Sequence, residues 1–142
     1  AAAAFRISTH RLTNVSALAR VGNGSAVLIA GFVLIGRDAK RLLIRGIGAT
    51  LTLFGVDGAL ADPKLELFQN GASVAVAAND NWASANSAEI GSAASAVGAF
   101  PLATDSRDAV LLVTLPPGNY TAQITGVNNT TGTALVEVYE VP

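Results

Sequence analysis

The chain has no cysteine, no methionine and one histidine. Without cysteine there are neither disulfides nor thiolate metal sites. Zinc needs several His or Cys ligands, so that metal is excluded in practice. A Ser-His-Asp site would have to use His10, and no Gly-x-Ser-x-Gly elbow accompanies it. Charge is scarce as well, at 13% of residues, about half the share of an ordinary domain. Ten acidic residues lie scattered, and no pair stands out for glycoside hydrolysis. The formal net charge of -1 lacks the basic excess that nucleic acid or anionic membranes demand. The longest apolar run, Val27 to Ile35, falls far short of the ~20 residues that span a membrane. It predicts a strand and no membrane insertion. With no methionine at position 1 and Ala1-Ala2-Ala3-Ala4 at the start, the expectation is a mature exported chain whose signal peptide has been removed.

What is present is a β-protein pattern. At 142 residues the size prior is one domain, able to bury roughly 68–70% of its unfolded surface. The firmest local signal is Leu65 to Trp82, LELFQNGASVAVAANDNW. Asn70-Gly71 between two apolar runs reads as a hairpin turn, since a type I′ turn needs positive φ at both central residues. It places Leu65 and Leu67 on one face of the first strand and Val74, Val76 and Ala78 on one face of the second. Val27–Ile35 and Ala109–Leu115 are apolar on both faces and need cover on both sides. Arg41, Leu43, Arg45 and Ile47 share a face too apolar for water, which predicts burial or a subunit interface. Ser87 to Val97, rich in alanine, predicts one short helix. Tyr120 to Thr125 alternates cleanly, with one wet face. About eight or nine short strands with regular turn signals predict an all-β, jelly-roll-like antiparallel sandwich over residues 22–142. Residues 1–21 form either its first strand or an N-terminal arm.

Two segments carry a family resemblance. LELFQNGASVAVAANDNW, followed by LPPGNYTAQITGVNNTTGTALVEVYEV with its Pro-Gly-x-Tyr-x-x-x-Ile-x-Gly strand, resembles the bacterial pre-peptidase C-terminal domain family. That resemblance implies a secreted jelly-roll-like sandwich without catalysis of its own. RLLIRGIGATL, GVDGALADPKLELF and NNTTGTALVEVYEV also resemble a domain found near the C-termini of large exported proteins of environmental bacteria.

The leading expectation is a non-enzymatic extracellular or cell-surface subunit that binds itself, as a filament or surface layer. Strand addition by the N-terminal arm would use Phe5, Ile7 and Leu12 as anchors, with Leu43, Arg45 and Ile47 as a further interface. The alternative is a secreted module for carbohydrate or cell wall, with Trp82 as the stacking ring and calcium as a stabiliser. No cofactor is otherwise expected. Asp80, between Asn79 and Asn81, is the candidate calcium ligand, with Asp57, Asp62, Asp105 and Asp108 in other loops. Ca²⁺ takes 6–8 oxygens of this kind, but Asn and Asp in turns usually cap the backbone instead. For Trp82 the competing role is that of a core plug. Sequons at Asn14, Asn23, Asn119, Asn128 and Asn129 fit exported surface loops.

Overall fold

The computed structural model describes residues 2–7, 15–24, 26–84 and 86–142, with side chains from Val15 onward. Nine strands among these residues form two sheets. They are β1 (Ala2–Ile7), β2 (Val15–Val21), β3 (Leu28–Leu34), β4 (Lys40–Ile47), β5 (Pro63–Gln69), β6 (Ala77–Asn79), β7 (Ala109–Leu115), β8 (Gly118–Gly126) and β9 (Gly132–Glu140). One sheet has the order β1-β3-β8-β5-β6 and the other β2-β9-β4-β7. Setting β1 aside, every connection from β2 to β9 crosses between sheets except the one joining β5 to β6. Those eight strands interleave as a jelly roll, with long-range antiparallel neighbours such as β3–β8 and β2–β9. The predicted jelly-roll sandwich is the observed fold, but it begins at β2 rather than at residue 22, because Val15–Val21 pairs along β9 inside the second sheet. β1 is extra to it and lies parallel to β3 at the sheet's edge.

The inner faces follow from strict alternation. Leu28, Ala30, Phe32 and Leu34 of β3 meet Leu65 and Leu67 of β5, and Tyr120, Ala122 and Ile124 of β8 join them. Leu42, Ile44, Val136 and Val138 come from the facing sheet. Phe32 and Tyr120 stack with ring centroids 5.6 Å apart, and the Tyr120 hydroxyl donates to the Pro116 carbonyl at 2.7 Å.

The second sheet has a cover on its outer face as well. Helix α1 (Ser87–Val97), where the alanine-rich run predicts it, lies over β4 and β7. Ile90, Ala93 and Ala94 press onto Leu43, Val110 and Tyr139, making a second core. Val110 and Leu112 therefore receive the two-sided burial that their sequence predicts. The equivalent expectation for Val27–Ile35 needs correction. Its inner face is buried, but Ile29 and Val33 are only half-buried beside Gln123 and Asn119 of β8, and Ile35 is exposed. Nothing among the described residues forms a lid over that sheet.

The hairpin also needs correction. Asn70 and Gly71 do take positive φ, 20° and 74°, and the Ala72 amide closes the turn on the Gln69 carbonyl. The return strand, however, is only Ala77–Asn79, paired with Leu65–Leu67 at the sheet's edge. Val74 and Val76 lie in the preceding loop, 76% and 52% exposed. Asn-Gly chemistry fixes a turn locally, but pairing beyond it needs a packed face, which Ala77 finds against the core and Val74 and Val76 do not.

Two outcomes test this description. Val76→Ser should change stability by no more than about 0.5 kcal/mol, whereas Leu67→Ala should cost about 2–5 kcal/mol in urea unfolding. Burial raises the Tyr120 hydroxyl above its ordinary value of 10.0. A group raised in the folded state contributes stability that is complete below pH 10 and is lost as pH rises through the folded value. The unfolding midpoint should thus fall more steeply above pH 10 in the parent than in Tyr120→Phe.

Candidate functional site

The most unusual chemistry lies in β4, where LLIRGI has both faces buried. Arg45 is 1% exposed, on the face that looks toward α1. In the β4–β9 register Arg45 stands opposite Glu137, itself 5% exposed. The Arg45 Nε donates to Glu137 Oε1 at 2.9 Å, and Nη1 donates to the Phe100 carbonyl at 2.7 Å. Nη2 also lies 2.9 Å from Oε1, although without hydrogen-bond alignment. The Phe100 ring sits 4.2 Å from the guanidinium carbon, a cation–π contact. Tyr139 donates its hydroxyl to Glu137 Oε2 at 2.7 Å. A buried charge is tolerated only when it is paired and hydrogen-bonded, and this network supplies both.

Leu43, Arg45 and Ile47 were expected to be buried or to form an interface. The structure buries all three within the chain itself, so this face offers nothing to a neighbouring subunit. Sequence reasoning missed Glu137 and Phe100 as partners. A charged residue flanked by apolar neighbours in each strand, Arg45 in LLIRGI and Glu137 in LVEVY, was the available signal, but their pairing depends on a register across 92 residues.

Asp108 is a second buried node. Its Oδ1 accepts from the Gly48 amide at 2.7 Å and the Thr50 amide at 3.4 Å. Its Oδ2 accepts from the Thr50 and Ser106 hydroxyls. The predicted loop aspartate is thus a clamp that fixes the turn after β4, and its oxygens are already occupied. A close approach there requires glycine: a Cβ on Gly48 would lie 2.1 Å from the Leu60 carbonyl oxygen.

Asp80 is exposed, and the Asn81 side-chain amide donates to it at 3.3 Å. Asn79 accepts from the Val110 amide at 3.0 Å and donates to the Asn81 carbonyl at 3.1 Å, which is backbone capping. Asp62 is engaged by Arg107 at 3.6 Å. Among the described residues no three His, Cys, Asp or Glu side chains gather as a metal group. Trp82 is 6% exposed, donates Nε1–H to the Ala103 carbonyl at 2.8 Å and packs in the core under α1. A ring buried in this way does not present its face for sugar stacking, so the core-plug reading holds and the carbohydrate role of Trp82 is corrected. Phe5 and Ile7 lie in β1, in register with Phe32 and Leu34. Leu12 and His10 lie outside the described residues.

A cleft of about 290 Å³ opens between α1 and the 99–102 segment, with Arg45, Trp82, Ile90 and Val110 among its walls.

No protein-family model matches the chain, and no curated protein matches it in sequence. Solved structures do match its shape. The pre-peptidase C-terminal domain of collagenase from Bacillus anthracis superimposes with a TM-score of 0.53 at 15% identity, over 95% of this chain and 93% of that one. The fold resembles a pre-peptidase C-terminal domain. PliG of Aeromonas hydrophila, a periplasmic inhibitor of g-type lysozyme, matches with a TM-score of 0.50 at 10% identity, over 99% of both chains. At these identities the likeness is one of fold, a small β-sandwich module, and the resemblance drawn from the turn and strand motifs agrees with it.

The ion pair makes a testable prediction. Glu137→Leu leaves Arg45 buried and unpaired and should cost about 3–5 kcal/mol, against a total stability of order 5–15 kcal/mol. Replacing both, Arg45→Met with Glu137→Leu, should recover most of that loss, read as a double-mutant cycle by urea unfolding.

Proposed function

We propose that this protein is a non-enzymatic, extracellular structural subunit that associates with copies of itself by exchanging β1. The observation that carries this reading is the position of β1. The eight strands from β2 to β9 complete the jelly roll without it, and its described ladder, from Ala2↔Ile29 to Ile7↔Leu34, is to the edge strand β3 alone. Strand β3, LIAGFVL, would otherwise present an apolar edge with unpaired backbone groups. That edge needs a strand, and its hydrogen bonds are the same whether the strand comes from its own chain or from a neighbour. Residues 8–14 give a tether of roughly 25 Å contour, long compared with the ~10 Å between packed sheets. A strand passed from each copy to the next makes a heterologous contact, and such a contact that does not close into a ring grows a filament.

The scarcity of charge, 13% of residues, supports the same reading, since it leaves little repulsion between copies. Export agrees with a surface of Asn-, Ser- and Thr-rich turns. No helix among the described residues is long and apolar enough to cross a membrane.

Deleting Ala1 to Leu12 should abolish polymers in electron micrographs and leave a species of about one chain in sedimentation, still folded by circular dichroism. Adding a synthetic Ala1–Leu12 peptide should bind that truncated protein at the vacated β3 edge. Polymers that persist unchanged in the deletion would remove β1 from the mechanism.

A further inference from the structure

The most exposed large apolar side chain among the described residues is Leu53, at 81%, and its neighbour Phe54 is 61% exposed. Both stand at the end of the 3-10 turn Ala49–Phe54, which holds them out firmly. Asp108 clamps Thr50 at the start of the turn, and the Thr52 hydroxyl donates to the Ala49 carbonyl at 2.8 Å. The Gly55 and Val56 amides close the far end on the Thr52 and Leu51 carbonyls, with Gly55 in the left-handed conformation at φ 80°. Phe54 has a partial partner in Phe100, its ring centroid 4.9 Å away. Leu53 belongs to neither core, so a fixed apolar knob points into water.

A hole of matching character lies one ring away. Phe100 sits in the 99–102 segment that walls the cleft beside α1, so knob and cleft open on the same side of the molecule. Trp82, Ile90, Ala94 and Leu102 make the walls apolar, and Arg45 beneath them is already neutralised by Glu137. Gly91, in the middle of α1, keeps the cleft open. Its backbone is ordinary helix rather than positive φ, and a Cβ built on it would meet nothing within 4 Å. Alanine would fit there and would favour the helix, so neither conformation nor packing calls for glycine.

We propose that two copies of this chain meet about a two-fold axis, each seating Leu53 in the other's cleft with Phe54 packed across its mouth. Knob and hole on one side of the molecule make the contact self-complementary, and a self-complementary contact closes as a pair. The sizes agree. A cleft of about 290 Å³ holds roughly ten non-hydrogen atoms at ~30 Å³ each, a leucine side chain and much of a phenyl ring. The charges agree as well, since residues 49–54, ATLTLF, carry no ionisable side chain and interface centres are depleted of charge. The area sets the strength. At about 200 Å² for a side chain of this size, the two knob residues expose roughly 280 Å² per copy. The walls they cover add as much again, so the two reciprocal contacts bury about 1,100 Å², at the low end for a specific interface. The pair is therefore weak and concentration-dependent. Its residues belong to the lid, so the β4 face beneath stays covered, and the contact rests on neither β1 nor strand exchange.

The chain has no cysteine, so thiols introduced at the contact report that contact alone. Leu53→Cys combined with Gly91→Cys in the full-length chain should oxidise to a dimer closed by two reciprocal disulfides. On a non-reducing gel its yield should exceed that of either single variant at least tenfold. Trp82 is the only tryptophan and lines the cleft, so its emission reads occupancy without labels. In the parent that emission should change with protein concentration. Leu53→Ser, which removes the knob, should abolish the change and leave the unfolding midpoint where it was, and Gly91→Leu, which fills the hole, should abolish it too. Single chains only from the oxidised double variant, or as much dimer from a single variant, overturn the contact. A ladder of trimers and longer species makes the contact head-to-tail and overturns the two-fold axis. The gel reads covalent links alone, so polymers lost or kept on deleting Ala1 to Leu12 bear on strand exchange and leave this outcome unchanged.

Discussion

From Leu42 to Ile47 strand β4 has no wet face, and that constraint shapes the molecule around it. Its inner side chains, Leu42 and Ile44, belong to the core between the sheets, while Leu43 and Ile47 on the opposite side are equally inaccessible. An antiparallel sheet ordinarily leaves one face to solvent. Here the apolar outer face demands a lid, and the segment between β6 and β7 supplies it as α1, Trp82 and the 99–102 stretch. Arg45 is the cost of that arrangement, since a guanidinium under a lid must be paired. Glu137, Phe100 and Tyr139 are placed accordingly.

The two sheets are consequently unlike. One is covered on both sides over β4 and β7 and anchors its turns through Asp108, whose carboxylate ties Gly48 and Thr50 to the start of β7. The other carries the half-buried Ile29 and Val33, the added strand β1 on one edge and the three-residue β6 on the opposite edge. Rigid, paired chemistry gathers in the first sheet, and the features suited to exchanging a strand gather in the second. On the proposed strand exchange, this division would combine a fixed body with an exchangeable edge.

Much of the fold was legible in the residues. Alternation in LELF and YTAQIT marked inward and outward positions correctly, because a side-chain period of two is a property of the strand itself. Helix α1 over Ser87–Val97 was readable from alanine content despite Gly91. Where the reading went astray, the error was always about what lies opposite. Val74 and Val76 have the composition of a strand, and Val76 donates its amide to the Leu67 carbonyl, but their side chains find no packed face and they remain in a loop. Val27–Ile35 asked for two covers and received one. Trp82 after a polar turn fits a sugar platform as well as a plug, until the Ala103 carbonyl and the helix close over it.

The sequence by itself determined the class of the protein: period-two strands, positive-φ turns and one helix. These follow from local sterics and from residue inventory, which need no knowledge of neighbours. Tertiary structure alone decided which apolar face is lidded and which is open, that Arg45 meets Glu137, and that β1 falls outside the jelly roll. Each of those depends on register between strands far apart in the chain, where a shift of one residue turns every side chain to the other face. Local sequence carries no record of that choice. Only the summed packing of both cores selects it.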